Sequence, residues 1–520
     1  MIFDVVQYGA VGDGVTDDTA NIQNAINSAI AAGGGIVYFP PGLTYMVTML
    51  NIQHGLTIDG YGATIKRPPN QTKWTRTFTT YHGTYQGYRG PEDSTPLIIR
   101  GLTLDGNRAN QGSYTNYELE QAHLVFLSGH HAEKGKLRVI IEDCLFKECV
   151  ADAISVWKNT SVKISNCTAE NCFRGSVVVT GGYSDVQVTN LKAYGDVHPT
   201  GIDVEVDSAG YGLTMRTEIT MDNIYLEGDF DVAIKEGSMF LGSKIICKSP
   251  PFNLYAVDSM VKISDSVFHV GVKTGTANRL FAPHDVSFEN CTFYADDASS
   301  DPSGTWVAGD HEIACINVYP YGKTNQTLKL LNCDFKAAAS VEATDTIYAV
   351  YLEADLLQSN NRIILDGCSV SNAFDYGVYM KQGGNIAVKN SRLEANTSFY
   401  LGLSGSGYDF NVVLDGVEAV SPATLLQIVS SLSTSKLTTS NVMIDESINL
   451  LKTTYGLKNN VYAGGRTILG NSTPIGRSVP GLLNDVFRLK TPVPGQPFEW
   501  ICTDSHHLAA TWKVKTTIGA

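Results

Sequence analysis

Residues 162–169 read VKISNCTA: a short alternating strand, a small polar turn residue, then a second short strand. The same design recurs at 139–146 (VIIEDCLF), 186–193 (VQVTNLKA), 219–226 (ITMDNIYL), 261–268 (VKISDSVF), 286–293 (VSFENCTF), 328–335 (LKLLNCDF), 363–370 (IILDGCSV), 386–393 (IAVKNSRL) and 412–419 (VVLDGVEA). The residue after the Asp/Asn/Gly turn serves as an index. It falls at Cys144, Cys167, Leu191, Ile224, Ser266, Cys291, Cys333, Cys368, Ser391 and Val417, with successive spacings of 23, 24, 33, 42, 25, 42, 35, 23 and 26. The base period is about 23, and the spacings of 42 read as two periods. Earlier copies are LTIDGYG (56–62) and LIIRGLTL (97–104). A fixed period of about 20–50 residues marks a solenoid. Short strands with no helices between them make each repeat one β-coil, so the spacing predicts a parallel β-helix of about a dozen coils.

Outward from this array, the cysteines fit the same plan. Five of the ten, Cys144, Cys167, Cys291, Cys333 and Cys368, share the index slot, and Cys149 and Cys172 each follow an index cysteine by five. Equivalent slots stack in a solenoid, so these thiols should form inward ladders of small buried hydrophobes. Neither a disulfide framework nor a zinc spacing is present.

Before the array, Ile22, Ala25, Ile26, Ala29 and Ile30 make one apolar helical stripe. Asp17 or Asp18 can cap its first turn, a structural role preferred here to a catalytic one. Gly33-Gly34-Gly35 ends it, and Ile36–Phe39 reads as a strand stopped by Pro40-Pro41-Gly42. After the array, AGGRTILGNSTPIGRSVPG (463–481) reads as a linker, followed by a short β module around Trp500 and Trp512. The expected organisation is therefore a cap over 1–50, the β-helix over 51–460, and a linker with a small β module suited to trimerisation over 461–520.

Composition narrows the function. Of 520 residues, 17% are charged and the net charge is −14. With no basic block, this argues against nucleic acid, whose phosphates need clustered Lys and Arg. No apolar run of about 18 residues suggests a membrane helix. The opening MIFDVVQYGAVGDG has no basic and apolar leader, so no secretory signal is expected. Reduced thiols agree with folding in a reducing compartment.

The run FDVVQYGAVGDGVTDDTANIQNAI (3–26) resembles the opening of the pectate-lyase superfamily of right-handed parallel β-helices. CFRGSVVVTGG (172–182) with GIDVEVDSAG (201–210) is similar to the R-G-x-S-V…G-I-D-x-E segments of phage tailspikes and related depolymerases. The resemblance covers roughly residues 2–450. It implies an all-β, right-handed parallel β-helix with an N-terminal capping α-helix and a small C-terminal β segment. It also implies carbohydrate chemistry, without selecting among lyases, hydrolases, epimerases and glycan-binding spikes.

Aligning DAISVW (152–157), GSVVVT (175–180), GIDVEV (201–206) and DVAIK (231–235) as one strand position locates a candidate site. Alternation turns Ile154/Val156, Val177/Val179, Ile202/Val204 and Val232/Ile234 inward. Trp157, Thr180, Glu205 and Lys235 then form an outward column. Asp203, Glu205 and Asp207 share one exposed face, where like charges repel; such a local conflict points to function. Glycosidic hydrolysis needs an acid and a base or nucleophile, the chemistry of paired carboxylates, and crowding raises the pKa of the acid. An oxygen-lined calcium site, or plain solvation, is the competing reading; the hydrolytic reading requires no metal or cofactor. Trp157 offers a stacking plane for a sugar. Arg174 can hold a substrate carboxylate or position Asp203. His198, in the loop before the acidic strand, is a proton-donor candidate; His123 and Asp152 edge the groove. An aromatic loop from Pro68 to Pro96, with Trp74, Phe78, Tyr81, Tyr85 and Tyr88, forms a groove wall or a subunit contact. The expectation is a phage or prophage tailspike-like depolymerase hydrolysing a bacterial surface polysaccharide, a homotrimer on the virion tail or otherwise extracellular. A non-catalytic glycan-binding spike and a pectin-type lyase or hydrolase are the alternatives.

Overall fold

The computed structural model describes the chain apart from residues 82–94, 115–117, 130–135, 196–200, 209–215, 229, 236, 249–251, 258, 270–278, 282–284, 296–311, 320–326, 339–345, 353–361, 381–383, 403–409, 421–423, 430–435, 446–451, 454–461, 464–465, 476–484, 495, 505–510 and 518–520. Two compact units are present, one chiefly Met1–Val261 and the other chiefly Lys262–Ser299 with Val307–Ala520.

In the first unit, strands from successive coils stack in parallel register. Ile2–Asp4, Gly35–Tyr38, Leu56–Asp59, Leu97–Arg100, Leu137–Glu142, Thr160–Glu170, Asp185–Tyr194, Glu218–Leu226 and Met239–Cys247 form one continuous stack. A second sheet carries one strand per coil, running through Val125–Leu127, Asp152–Val156, Gly175–Gly181, Gly201–Ser208, Phe230–Lys235 and Phe252–Val257. This is the parallel β-helix the period predicts. Its interior is filled by the alternate residues of every strand, among them Ile154, Val156, Val177, Val179, Ile202, Val204, Val232 and Ile234, all 0–1% exposed.

The turn residue before each index position has a specific job. Asp143, Asn166, Asn190 and Asn223 all take left-handed backbone conformations, with φ of 55°, 54°, 54° and 57°. Asp and Asn tolerate this region because their short polar side chains bond locally. Here they bond one coil to the next: Asn166 Nδ2 donates to Asp143 Oδ1 (3.2 Å), Asn190 to Asn166 (2.9 Å) and Asn223 to Asn190 (2.7 Å). Tyr61 closes the ladder, its hydroxyl donating to Asp143 Oδ2 at 2.6 Å. Gly101 holds the same slot one coil earlier (φ 72°), where a Cβ would lie 2.4 Å from the Tyr61 ring.

The two spacings of 42 have different causes. Between Ile224 and Ser266 lies an extra coil whose turn residue is Lys244, φ 52°, in the strand Met239–Cys247. Lysine in that slot hides the repeat from a search for Asp, Asn or Gly. Between Cys291 and Cys333 there is no extra coil, because Asp285–Glu289 pairs directly with Thr327–Leu331. That second spacing corrects the two-period reading: the added residues lie outside the strands.

The helix spans Thr19–Ala31 and buries Ile22, Ala25, Ile26 and Ala29. Asp18 holds the N-cap position without a side-chain bond to the helix, while Asp17, one residue earlier, accepts from Thr19 N at 3.0 Å. The Asp18 side chain turns back and accepts from Val11 N (2.6 Å) and Gly12 N (3.1 Å), fixing the preceding loop. All ten cysteines are buried and free. The hydrogen bond to Cys167, then burial, pushes the Cys144 thiol well above its ordinary pKa.

In the second unit the same plan continues through Arg362–Asp366, Gly384–Lys389, Phe410–Asp415 and Lys436–Ser440. It ends differently. Thr467–Gly470 pairs in parallel with Val486–Leu489, which pairs antiparallel with Pro497–Asp504, itself antiparallel to Thr511–Thr517. Phe487 packs edge-on against Trp500 and Trp512, at 5.9 and 5.7 Å between ring centres. Among the described residues no helix is long and apolar enough to cross a membrane.

Candidate functional site

The site lies on the outer face of the single-strand sheet in the first unit. Register places Thr79, Phe126, Ser155, Val178, Asp203, Asp231 and Asn253 in one lateral column. Neighbouring positions in such a column stand ~4.8 Å apart. Asp203 therefore has Asp231 directly beside it, a residue that the sequence alignment set opposite Gly201, two residues away.

The register also corrects the outward column. Glu205 pairs with Ala233, while Lys235 pairs with Val257. The strand beginning at Phe230 is displaced by two residues from the sequence alignment. A two-residue slip keeps every side chain on its own face, so alternation cannot detect it. Between the strands Gly175–Gly181 and Gly201–Ser208 the register shifts again, Val179 pairing with Val204 but Gly181 with Ser208. The regular spacing expected from Asp203 through Asp207 is thus interrupted after Val204. The side chains of Asp207 and Lys235 and all of His198 lie outside the described residues.

The Asp203 carboxyl is strongly perturbed. Burial first, then the charges of Glu205, Asp231 and Asp152, push its pKa up to about 8, against the opposing pull of Arg174. Its Oδ1 is buried with no hydrogen-bond partner. A carboxyl in this setting keeps its proton at neutral pH.

Three other expected residues meet beside it. Asp152 opens its strand and is 1% exposed. His123 Nδ1 stands 2.9 Å from Asp152 Oδ2, and Arg174 Nε stands 3.7 Å from Asp152 Oδ1. Burial holds the His123 pKa below its ordinary value, with Asp152 opposing. The turn carrying His123 is pinned from below by fully buried Arg67, which donates to the carbonyls of Ala122 and His123, both at 2.7 Å. Arg174 is held by donating to the Glu120 carbonyl at 3.1 Å. Gly175 keeps this corner open: a Cβ there would meet Val178 Cγ2 at 2.6 Å.

Aromatic side chains form the far end of the face. Trp157 lies 6.1 Å from both Tyr81 and Phe126, and Lys158 Nζ sits 3.8 Å over the Trp157 ring. His123 stacks on Phe126 at 5.5 Å. Of the aromatic loop, Phe78 is core, Trp74 is 63% exposed and Tyr81 joins this cluster; Tyr85 and Tyr88 lie outside the described residues. Sequence reasoning missed Arg76, whose guanidinium sits 3.6 Å over Phe126. It lies between strands, where no periodic signal reaches. Among the described residues, no group of three or more His, Cys, Asp or Glu is arranged to hold a metal ion. Chemically, the face combines a protonated carboxyl, further carboxylates within one or two residue spacings, and flat rings.

Residues 2–203 match the family model for rhamnogalacturonase A/epimerase, pectate lyase-like. Its first 200 or so residues are thus similar to pectate-lyase-like proteins, and its fold is a parallel β-helix. It is 29% identical over 249 residues to mannuronan C5-epimerase AlgE1 of Azotobacter vinelandii, covering 43% of this chain and 17% of that relative. The chain thus spans under a fifth of that relative's length. Among solved structures it is similar to the A-module of A. vinelandii mannuronan C-5 epimerase AlgE4, with 19% identity, TM-score 0.42, 78% of this chain and 100% of that one. Tailspike protein 3 of bacteriophage CBA120 is similar at 13% identity and TM-score 0.40, with coverages of 100% and 70%.

Proposed function

We propose that this pectate-lyase-like β-helix binds a polysaccharide along the outer face of its first unit and cleaves it by glycosidic hydrolysis. Asp203 gives its proton to the leaving oxygen, and Glu205 or Asp231 supplies the base or nucleophile. The observation that carries this is the Asp203 carboxyl, raised to about 8 by burial and by neighbouring carboxylates, as an acid catalyst at neutral pH requires. The similarity to a mannuronan C5-epimerase supports a polysaccharide as ligand. The partner carboxylate decides stereochemistry. A carboxyl separation of ~5 Å gives retention and ~6.5–9.5 Å inversion. Asp231, one lateral step away, suits the first; Glu205, two residues along the strand, suits the second.

The finer reading is a tailspike-like depolymerase of bacterial surface glycan, trimeric and displayed on a virion tail or another extracellular surface. It is supported by the tailspike-like segments 172–182 and 201–210, whose Arg174, Asp203 and Glu205 come together on this face. Incubation with capsular, teichoic and plant polysaccharides tests the reaction. New reducing ends without unsaturated products are expected. Unsaturated products would make it a lyase. Binding without any product would make it a glycan-binding spike.

A further inference from the structure

Among the described residues, Arg76 is a buried cation with no ion-pair partner. The residue is 8% exposed, and its Nε is buried with no hydrogen-bond partner. Its guanidinium lies over Phe126 at 3.6 Å and near Trp74 and Tyr81, both at 5.7 Å. No described carboxylate forms an ion pair with it. Arg67, more deeply buried still, shares the unpartnered Nε, but its other nitrogens donate to two carbonyls and a hydroxyl, a structural anchor. A buried charge without a counter-charge is costly, so such a group is retained where a ligand supplies the missing anion.

Its position matches that need. Arg76 covers Phe126, which stands three lateral steps from Asp203 in the same column, roughly 14 Å at ~4.8 Å per step. Trp157 and Tyr81 flank it as flat surfaces, and Lys158 adds a second cation over Trp157. The Asp203 end of the face is acidic, whereas this end is cationic and aromatic.

We infer that Arg76 is an anion-accepting, specificity-determining residue, which takes a charged substituent, carboxylate or phosphate, of a glycan held on the Trp157–Tyr81 surface. This rests on the glycan reading above. Guanidinium suits both groups, since its planar fork donates two parallel hydrogen bonds.

Binding is measured by calorimetry on the Asp203→Asn background, so that probes survive. The probes are oligosaccharides of mannuronate, guluronate, galacturonate and glucuronate, each beside its carboxyl-reduced neutral counterpart, and a glycerol-phosphate teichoic oligomer. At least one anionic probe should bind more tightly than its neutral counterpart, and uronate against phosphate tells the two sources apart. Arg76→Met should weaken that probe roughly 10–100-fold, with the neutral counterpart unchanged and the melting temperature retained or raised. Arg76→Lys should recover part of the loss. Equal binding of charged and neutral probes, no binding by any anionic probe, or no effect of Arg76→Met would each overturn the inference. Cleavage of a neutral glycan by the wild-type chain alongside such a failure would leave the hydrolase reading intact. Charge-selective binding with no cleavage of any glycan would remove only that reading.

Discussion

At the scale of residues, Asp203 is the proposed acid and offers two checks. Removing the acid by Asp203→Asn should lower product formation about 10²–10⁴-fold, the usual worth of positioned acid catalysis, with retained glycan binding by calorimetry. The pH dependence has a definite sign. The folded pKa is raised to about 8 from a carboxylate's ordinary value near 4, so between those values the folded state holds a proton that the unfolded chain has released. Stability from this group is full below about pH 4 and falls as pH rises toward about 8. Asp203→Asn should accordingly raise the unfolding midpoint, with a gain that grows with pH to about 2–5 kcal/mol by pH 9. Wild-type activity should decline as pH passes about 8. A flat profile from pH 6 to 10 would remove Asp203 as the acid. Trp157→Ala tests the platform: loss of stacking should weaken glycan binding about tenfold without shifting the pH profile.

At the scale of elements, the asparagine ladder connects repeat to fold. Asn190 accepts a bond from Asn223, donates one to Asn166, and holds a left-handed backbone. Asn190→Ala loses two exposed bonds and strains the turn, an expected cost of about 2 kcal/mol in urea unfolding. Asn190→Gly should recover roughly half, because glycine takes that backbone freely. Equal costs for the two variants would show that the turn conformation contributes nothing. This slot was plain in the repeat as Asp, Asn or Gly before the index residue. Lys244, in the same conformation, was not, since lysine gives no turn signal. The helix shows a comparable limit: either aspartate side chain could bond its first turn, and the loop packing leaves that to Asp17 because the Asp18 side chain is drawn to Val11 and Gly12.

At the scale of the whole molecule, the solenoid must end somewhere, and an open edge invites pairing with another chain. In the second unit the antiparallel strands Val486–Leu489, Pro497–Asp504 and Thr511–Thr517 follow the last parallel strand, joined to it by the buried ion pair of Arg466 with Asp485. Arg466→Met would take away the buried counter-charge of Asp485, at an expected cost of about 3–5 kcal/mol. Hydrogen exchange should show this C-terminal region opening first. The double variant Arg466→Met with Asp485→Leu should recover most of the loss. The proposed trimer predicts a solution mass near three times 56.2 kDa by light scattering; a monomer would remove it.

The coil period, inward faces, thiol ladders and capping helix are all legible along the chain, because each depends on local alternation and on backbone preference that repeats every turn of the solenoid. Asp203, Glu205, Asp152, His123, Arg174 and Trp157 were legible as candidates for the same reason: they break an otherwise uncharged or aliphatic pattern. Their arrangement was not. The pairing of Asp203 with Asp231 depends on a two-residue register choice that alternation leaves open, and the neighbour of Glu205 follows from it. Arg76 reaches Phe126 from a segment between strands, and His123 meets Asp152 of the next coil. Such contacts, and the burial that raises the Asp203 pKa, come from packing between residues distant in the chain. No local pattern encodes them, so they exist only once the coils are stacked.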